Sequence, residues 1–255
     1  MKKYFLYLIF FTIISVCTVI LIIPKKTTIA VIGAMDVEIN EILSNLSNTK
    51  SIQQNDFNIT VGDFGKYRIV LSKSGVGKVC AATTTQFIID KYKPIYIINI
   101  GIAGSLSKDL KAGDTIIAEK MVQHDFDVTV FGHPKGYMDN GIEPDKPTIY
   151  YSDKNLITQF NKNNKLKTGT IATGDEFVTD LNLKNQIRKE FKADAVDMES
   201  AAIAQTAKRN NTPVIILRTI SDGANDTIKE YKQNKPTTAQ KASEITLSTL
   251  FYENK

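Results

Sequence analysis

The sequence predicts an α/β protein with three layers, in which a mixed, mainly parallel central sheet lies between helices. Short apolar runs alternate with segments of helical spacing through most of the chain, which is typical of this class. Residues 214–217 are a continuous apolar run of the kind that forms a strand buried on both faces. With 255 residues, 42% of them hydrophobic, the chain is long enough for one large domain with a full core.

The strands are predicted from β-branched and apolar runs that end at turn residues. The first, residues 27–32, is closed by Gly33 and followed by a helix over residues 35–46. Residues 57–61 and 67–71 are expected to pair across a turn at residues 62–65. Further strands are predicted at residues 95–100, stopping at Gly101, and at residues 113–121, 166–172 and 214–217. The short apolar run at residues 195–196, which ends at acidic residues, predicts one more.

The remaining helices are predicted between these strands. Helical spacing and helix-favouring residues place them at residues 76–91, 153–162, 183–191 and 237–252, and Ala-rich sequence after Glu199 predicts one more. No second globular domain is expected. The domain is predicted to span residues 27–255, and residues 1–26 form a separate N-terminal segment.

The N-terminal segment is predicted to be a membrane anchor. Residues 4–23 carry no charge and have two lysines before them and two after them. At ~1.5 Å per residue, a helix of that length spans the roughly 30 Å hydrocarbon core. A cleaved signal peptide is the main alternative, although residues 19–28 contain no convincing Ala-x-Ala site. Lipidation at Cys17 is the second alternative. The bulky Val16 argues against it, because such sites usually carry a small residue at that position.

The orientation of the anchor is not fixed by its flanking charges, because lysines stand on both sides of the apolar run. A short N-terminal tail most simply stays in the cytoplasm, so we expect the domain to lie outside it. Secretion after signal cleavage, or an anchored domain that faces the cytoplasm, are the alternatives.

Charge and cysteine content exclude two features. The formal net charge is +5 and the lysines are scattered, so no nucleic-acid partner is predicted. The chain has two cysteines, Cys17 in the apolar run and Cys80 in a predicted helix, so no disulfide can form within the domain.

Acidic residues follow two of the predicted buried strands. Residues 197–202 read DMESAA and residues 218–222 read RTISD. In open α/β sheets ligands bind at the carboxyl ends of the strands, so these acids are expected to meet at one site. Carboxyl groups in different environments can divide acid and base roles between them. The pattern therefore predicts a ligand site.

These two motifs, together with IGAMDVE at residues 32–38, resemble the signatures of the nucleoside phosphorylase/hydrolase superfamily. Within it, the resemblance is greatest to the 5′-methylthioadenosine/S-adenosylhomocysteine nucleosidases. It extends from Thr28 to the C-terminus and does not include residues 1–26. It implies hydrolysis of the N-glycosidic bond of methylthioadenosine, S-adenosylhomocysteine or 5′-deoxyadenosine to adenine and the free sugar. It also implies a homodimer and no cofactor.

The resemblance assigns roles to the acids and their neighbours. Asp222 corresponds to the acid that protonates N7 of adenine, with Ser221 orienting it. Glu199 corresponds to the carboxylate that binds the ribose hydroxyls, and Met198 to the side chain that packs on the sugar. Glu38 corresponds to the carboxylate that activates water.

The other predicted site residues bind the substrate or support these groups. Phe177 is expected to stack on adenine and the Val178 backbone to read the base edge. Arg218 is expected to pair with the water or a carboxylate, and Met35, at the start of the predicted helix that carries Glu38, is expected to bind the substrate. Tyr231 corresponds to an aromatic wall of a neighbouring subunit's 5′-alkylthio pocket.

Two positions depart from the family pattern. Ile102 stands where relatives often carry a Ser or Thr whose hydroxyl helps to hold the water, and Asp197 stands where many carry glutamate. A water held less firmly and slower turnover are expected from Ile102, and Ser105 is not expected to compensate for the missing hydroxyl.

No metal site is predicted. His124 and Asp127 lie in a long loop, but the chain has only two histidines and no third ligand at helical spacing. Two other functions are kept as alternatives. A purine nucleoside phosphorylase would typically carry Arg where Asn99 stands, and a membrane-tethered nucleoside-binding protein would not need three acids.

Overall fold

The computed structural model describes residues 26–139, 146–224 and 228–253. The predicted anchor, residues 4–23, lies outside these ranges. Within them, no helix combines the length and the apolar character needed to cross a membrane. The strands are β1 Thr27–Gly33, β2 Ser47–Gln54, β3 Phe57–Phe64, β4 Tyr67–Lys73, β5 Ile97–Ser105, β6 Thr115–Gln123, β7 Tyr150–Tyr151, β8 Lys167–Thr173, β9 Ala195–Asp197 and β10 Val214–Asp222.

The helices follow the strands much as predicted. They are α1 Asp36–Ser44, α2 Lys78–Tyr92, α3 Lys154–Asn164, α4 Leu181–Phe191, α5 Ser200–Arg209 and α6 Ile228–Tyr252, with a short 3₁₀ turn at Thr129–Phe131. Two begin at aspartate caps: the Asp153 side chain accepts from the amides of Asn155 and Leu156, and the Asp180 side chain accepts from Leu183.

The central sheet is organised around β5. β5 pairs in parallel with β1 and with β10, and antiparallel with β9. β10 also pairs with β6, β6 with β8 and β8 with β9, so five of the strands close into a ring. On the other side of β1 the sheet continues with β4, which pairs with β1 in parallel. β3 then pairs antiparallel with β4, and β2 pairs antiparallel with β3 at the edge of the sheet. The predicted mixed α/β sheet is confirmed.

Helices cover both faces of this sheet. Alternate residues of β1 point to opposite faces, and both sets are buried: Ile29 and Val31 pack with α1, α3 and α6, whereas Ala30 and Ile32 pack with α2 and α5. Because both faces of the sheet are covered around β1, these central strands meet solvent at their polar ends. The carboxyl ends of β1, β5 and β10 lie side by side there.

Several details of the predicted elements were wrong, for different reasons. β10 runs past Leu217 to Asp222, and the two-residue strand β7 was not predicted. β2 was missed because it is a polar edge strand with an exposed surface and so lacks an apolar signal. β3 runs through the predicted turn to Phe64. β5 continues past Gly101 to Ser105. α6 begins at Ile228, with Pro236 inside it: the buried residues lie after the proline, and the turns before it are held by contacts such as that of Asn234 Nδ2, which donates to the carbonyl of Ser221 at 2.9 Å.

Candidate active site

One cavity collects almost all the predicted site residues. It opens at the carboxyl ends of β1, β5, β9 and β10. Ten of the eleven predicted residues line it: Met35, Glu38, Ile102, Phe177, Val178, Met198, Glu199, Ser221, Asp222 and Tyr231. The eleventh, Arg218, is buried and contacts acids that line the cavity. The structure therefore brings the predicted residues together at a single site.

Glu38 is held by backbone amides at the base of the cavity. Its Oε2 accepts from the amides of Ala34 and Met35, at 2.7 and 2.9 Å, and its Oε1 accepts from the amide of Ile102 at 3.1 Å. A carboxylate has about four lone-pair positions, so one on Oε1 is left for a ligand or a water. Burial raises the pKa of Glu38, and the nearby Arg218 and these three amides act in the opposite direction. A raised pKa suits a general base that works near neutral pH.

Gly101 brings β5 close to Glu38. A Cβ at Gly101 would lie 2.9 Å from Glu38 Oε1 and 3.2 Å from Arg218 Cζ. Only glycine allows this approach, and it lets the next amide, that of Ile102, reach the carboxylate. The Ile102 position thus supports Glu38 through its backbone, although its side chain has no hydroxyl.

Ser105 does not replace the missing hydroxyl of Ile102. Its Oγ lies 2.7 Å from the carbonyl oxygen of Ser107 and 3.1 Å from that of Leu110, within the loop after β5. The apolar side chain of Ile102 is therefore the group that β5 presents to the cavity at this point.

Asp197 and Arg218 form a buried ion pair behind the cavity. Arg218 Nε donates to Asp197 Oδ2 at 2.9 Å, and its Nη2 lies 2.8 Å from the same oxygen. Both side chains are only 1% exposed. The Thr173 hydroxyl and the Ser200 amide also donate to Asp197, at 2.6 and 3.0 Å. The sequence did not specify which carboxylate pairs with Arg218. In the structure it is mainly Asp197.

The negative charge of Glu199 is only partly balanced by the groups around it. Its Oε1 accepts from the amide of Gly77 at 3.0 Å, and its Oε2 lies 3.9 Å from Arg218 Nη2. Burial, followed by the negative charge of Asp197, raises the pKa of Glu199 to about 7. The carboxylate therefore faces the cavity with unused acceptor positions and a proton affinity suited to physiological pH.

Asp222 is fixed at the opposite wall, where β10 ends. The Ser221 hydroxyl donates to Asp222 Oδ2 at 2.6 Å, and the amide of Ala224 donates to Oδ1 at 2.8 Å. Gly104 packs closely here, since a Cβ on it would lie 3.2 Å from Asp222 Oδ1. Ser221 is therefore placed to orient the acid, as the resemblance implied.

The mouth of the cavity is aromatic. Phe177 and Tyr231 meet edge to face with ring centroids 5.0 Å apart, and the Tyr231 hydroxyl lies 3.8 Å from Met35 Sδ. Phe177 is 45% exposed, which leaves part of its surface open to a planar ligand. Tyr231 was expected in a neighbouring subunit's pocket. In the structure it lines the cavity of its own chain, because α6 starts early enough to include it.

His124 and Asp127 serve the surrounding structure. The His124 ring is buried against Gly174, and burial lowers its pKa. Asp127 accepts from the amide and hydroxyl of Thr129. In the ranges that the structure describes, no three His, Cys, Asp or Glu side chains are grouped for a metal ion.

The sequence assigned no role in the site to several residues that contribute to it. Asp197 is the hub of the buried ion pair, Gly77 supplies an amide to Glu199, and Val76 lines the cavity. The SGVGK segment at residues 74–78 is typical of a tight turn before a helix. Its role in the site depends on where α2 starts relative to β9, which the local sequence does not encode.

Comparison with known proteins gives the family. The family model of the phosphorylase superfamily matches residues 28–250. The chain belongs to this superfamily. It is 36% identical over 201 residues to the 5′-methylthioadenosine/S-adenosylhomocysteine nucleosidase of Bacillus subtilis, covering 76% of this chain and 85% of that protein.

Two solved structures are also similar. The 5′-methylthioadenosine/S-adenosylhomocysteine nucleosidase from Neisseria meningitidis, in complex with methylthio-immucillin-A, has 34% identity and a TM-score of 0.83, covering 88% of this chain and 98% of that one. Futalosine hydrolase of Helicobacter pylori has 30% identity and a TM-score of 0.84, covering 89% and 98%. Proteins of this fold are thus named for different substrates.

In this superfamily member, Glu199→Gln is expected to raise stability at pH 8 while lowering activity. The pKa of Glu199 is about 7 in the fold, against an ordinary 4.5. Between these values the folded state keeps a proton that the unfolded chain has released, so the stabilising contribution falls as pH rises from 4.5 through 7. Above pH 7 Glu199 is ionised in the folded wild-type protein, so the variant removes a buried negative charge and is expected to be more stable. The advantage in thermal midpoint should shrink towards pH 5, at about 2–4 °C per kcal/mol for a chain of this size.

Thermal unfolding of both proteins at pH 5 and pH 8 tests this. Glu244→Gln, on the exposed side of α6, is the matched control and should change neither midpoint. An equal shift at both pH values would contradict the raised pKa of Glu199.

Proposed function

We propose that this chain hydrolyses the N-glycosidic bond of adenine nucleosides with a 5′-thioether or 5′-deoxy group. Its substrates are 5′-methylthioadenosine, S-adenosylhomocysteine and 5′-deoxyadenosine, and its products are adenine and the 5′-substituted ribose. One observation carries the proposal: the carboxyl groups of Glu38, Glu199 and Asp222 line one cavity that has an aromatic mouth. The activity of the named relatives agrees with it.

The adenine end of the reaction needs an acid and a flat binding surface. Asp222 transfers a proton to N7, so that adenine leaves as a neutral molecule, and Ser221 holds the carboxyl group in position. Phe177 stacks on the base. Val178 follows it directly and lines the cavity, where its backbone can read the edge of the base.

The ribose end needs negative charge beneath a developing cation. As the glycosidic bond breaks, positive charge grows on the sugar ring, and Glu199 stabilises it while accepting hydrogen bonds from the ribose hydroxyls. Met198, beside it in the cavity, packs on the sugar. Arg218 and the Gly77 amide keep Glu199 in place without fully neutralising it.

The nucleophile is water activated by Glu38. The remaining lone-pair position on Oε1 accepts the proton as water attacks the anomeric carbon. Because three amides fix the carboxylate, the base is positioned before the substrate binds.

The surroundings of the nucleophile favour water over phosphate. Phosphate requires cations placed to neutralise it. Among the described residues that line the cavity, none is Lys or Arg. Arg218 is engaged by Asp197, and the side-chain amide of Asn99 donates to the carbonyl of Ile32 at 2.8 Å. The presence of all three acids also argues against a binding protein without turnover.

Incubation of the full chain with methylthioadenosine, with and without phosphate, tests the reaction. Adenine and free methylthioribose should form at the same rate in both conditions. Asp222→Asn keeps the size of the side chain but removes the proton donor, and should lower kcat by about 10²–10⁴-fold.

Formation of the sugar 1-phosphate only when phosphate is present would make the enzyme a phosphorylase. Undiminished cleavage by Asp222→Asn would remove the acid role from this residue.

We also propose that the enzyme is a homodimer. Val130 and Phe131 lie side by side in the loop after β6 and are 85% and 77% exposed, which is typical of a protein contact surface. Light scattering of the full chain purified in detergent, corrected for the mass of bound detergent, should give twice the chain mass, and Val130→Asp/Phe131→Asp should reduce it to one chain. A monomeric wild-type enzyme would contradict the proposal.

Finally, we propose that residues 4–23 anchor the enzyme in a membrane, with the domain on the extracytoplasmic side. The support is the unbroken run of uncharged residues, which is long enough to span the hydrocarbon core. Only Pro24, Lys25 and Lys26 separate this run from β1, which begins at Thr27. The alternatives are secretion after signal cleavage and an anchored domain facing the cytoplasm.

Fractionation of cells that produce the full chain tests the anchor. The protein should stay with the membranes after an alkaline carbonate wash and keep all 255 residues by intact mass. Ile13→Lys/Ile14→Lys should release it, since a lysine at the centre of a membrane helix costs about 2.5–3.5 kcal/mol. Protease added to intact cells should digest the domain. A shortened soluble product would indicate signal cleavage, and a protected domain would reverse the orientation.

A further inference from the structure

A groove continues outward from the cavity on the side of the Glu38 helix. It shares Ala34, Met35 and Val76 with the cavity, and these residues form its inner end. Its outer end carries three charged side chains, those of Asp36, Lys73 and Lys235. The apolar wall that would face a thioether is therefore followed by a charged outlet.

The charges of this outlet are held in place. Lys73 Nζ donates to Asp36 Oδ2 at 2.7 Å, with the two side chains 39% and 68% exposed. Lys235 Nζ lies over the Tyr231 ring, 5.6 Å from its centroid, and the hydroxyl of that ring contacts Met35. Lys235 is thus linked through Tyr231 to the inner wall of the groove.

The outlet has two positive charges and one negative charge. This combination suits a carboxylate more than a neutral alkyl end, and Asp36 adds a partner for an ammonium group. A short methylthio group would end at the apolar wall, because it has no further atoms to place in the outlet.

We propose that Lys73 and Lys235 bind the carboxylate of a long 5′ substituent, and that Asp36 binds its ammonium group where it has one. The groove thereby favours substrates whose 5′ chain ends in an aminocarboxylate, as in S-adenosylhomocysteine, over uncharged chains of the same length. This inference rests on the proposed nucleosidase function, because it describes selectivity at the same site.

The test compares three nucleosides in one enzyme preparation: S-adenosylhomocysteine, 5′-butylthioadenosine and methylthioadenosine. The butylthio compound has a thioether chain of similar length without charges, so the comparison isolates the effect of the ammonium and carboxylate groups of S-adenosylhomocysteine. The readout is the ratio of kcat/KM for S-adenosylhomocysteine to that for butylthioadenosine. The amount of folded enzyme cancels in this ratio.

Lys235→Met should lower the ratio about threefold, and Lys73→Met/Lys235→Met about tenfold, the size expected for exposed ion pairs that add. Lys235→Arg should restore most of the ratio, and added salt should lower the wild-type ratio. Lys232→Met, on an exposed position of α6 that does not line the groove, is the matched control and should keep it unchanged.

An unchanged ratio in the double variant would overturn the inference, whether kcat/KM stays the same for both nucleosides or falls equally for both. Failure of the wild-type enzyme to release adenine from all three would overturn the proposed function instead. The two failures are therefore distinguishable.

Discussion

The site depends on the burial of one arginine among three carboxylates. Arg218 lies directly against Asp197, its Nη2 is 3.9 Å from Glu199, and its charge also acts on Glu38. One positive charge cannot neutralise three negative ones. Burial raises the pKa values of Glu199 and Glu38, and Arg218, which makes its short contacts with Asp197, offsets this effect only in part. Burying an unequal set of charges is costly, and perturbed acids of this kind are typical of functional sites.

Backbone amides make this arrangement possible. Amides of Ala34, Met35 and Ile102 hold Glu38, the amide of Gly77 holds Glu199, and the amide of Ala224 holds Asp222. Amides carry no titratable charge, so they fix the acids at any pH at which the fold persists. They also explain why a β5 position without a hydroxyl can still support Glu38: its contribution comes from the chain and not from the side chain.

The fold supplies these amides through three neighbouring strands. β1, β5 and β10 pair in parallel, so their carboxyl ends place Ala34, Ile102 and Asp222 around one opening. The close approach at Gly101 sets the distance between β5 and Glu38. The mouth is completed from the far end of the chain, where α6 brings Tyr231 to Phe177 and Met35.

The sequence by itself determined the α/β class, most elements and ten of the residues that line the cavity. Apolar runs and acids at strand ends are local signals, and the motifs occupy short stretches. Only the tertiary structure decided that Arg218 pairs with Asp197, that the Ile102 amide reaches Glu38, and that Tyr231 faces its own chain's cavity. Each of these contacts joins residues far apart in sequence, and its geometry depends on strand register and on where helices begin, which local pattern does not specify.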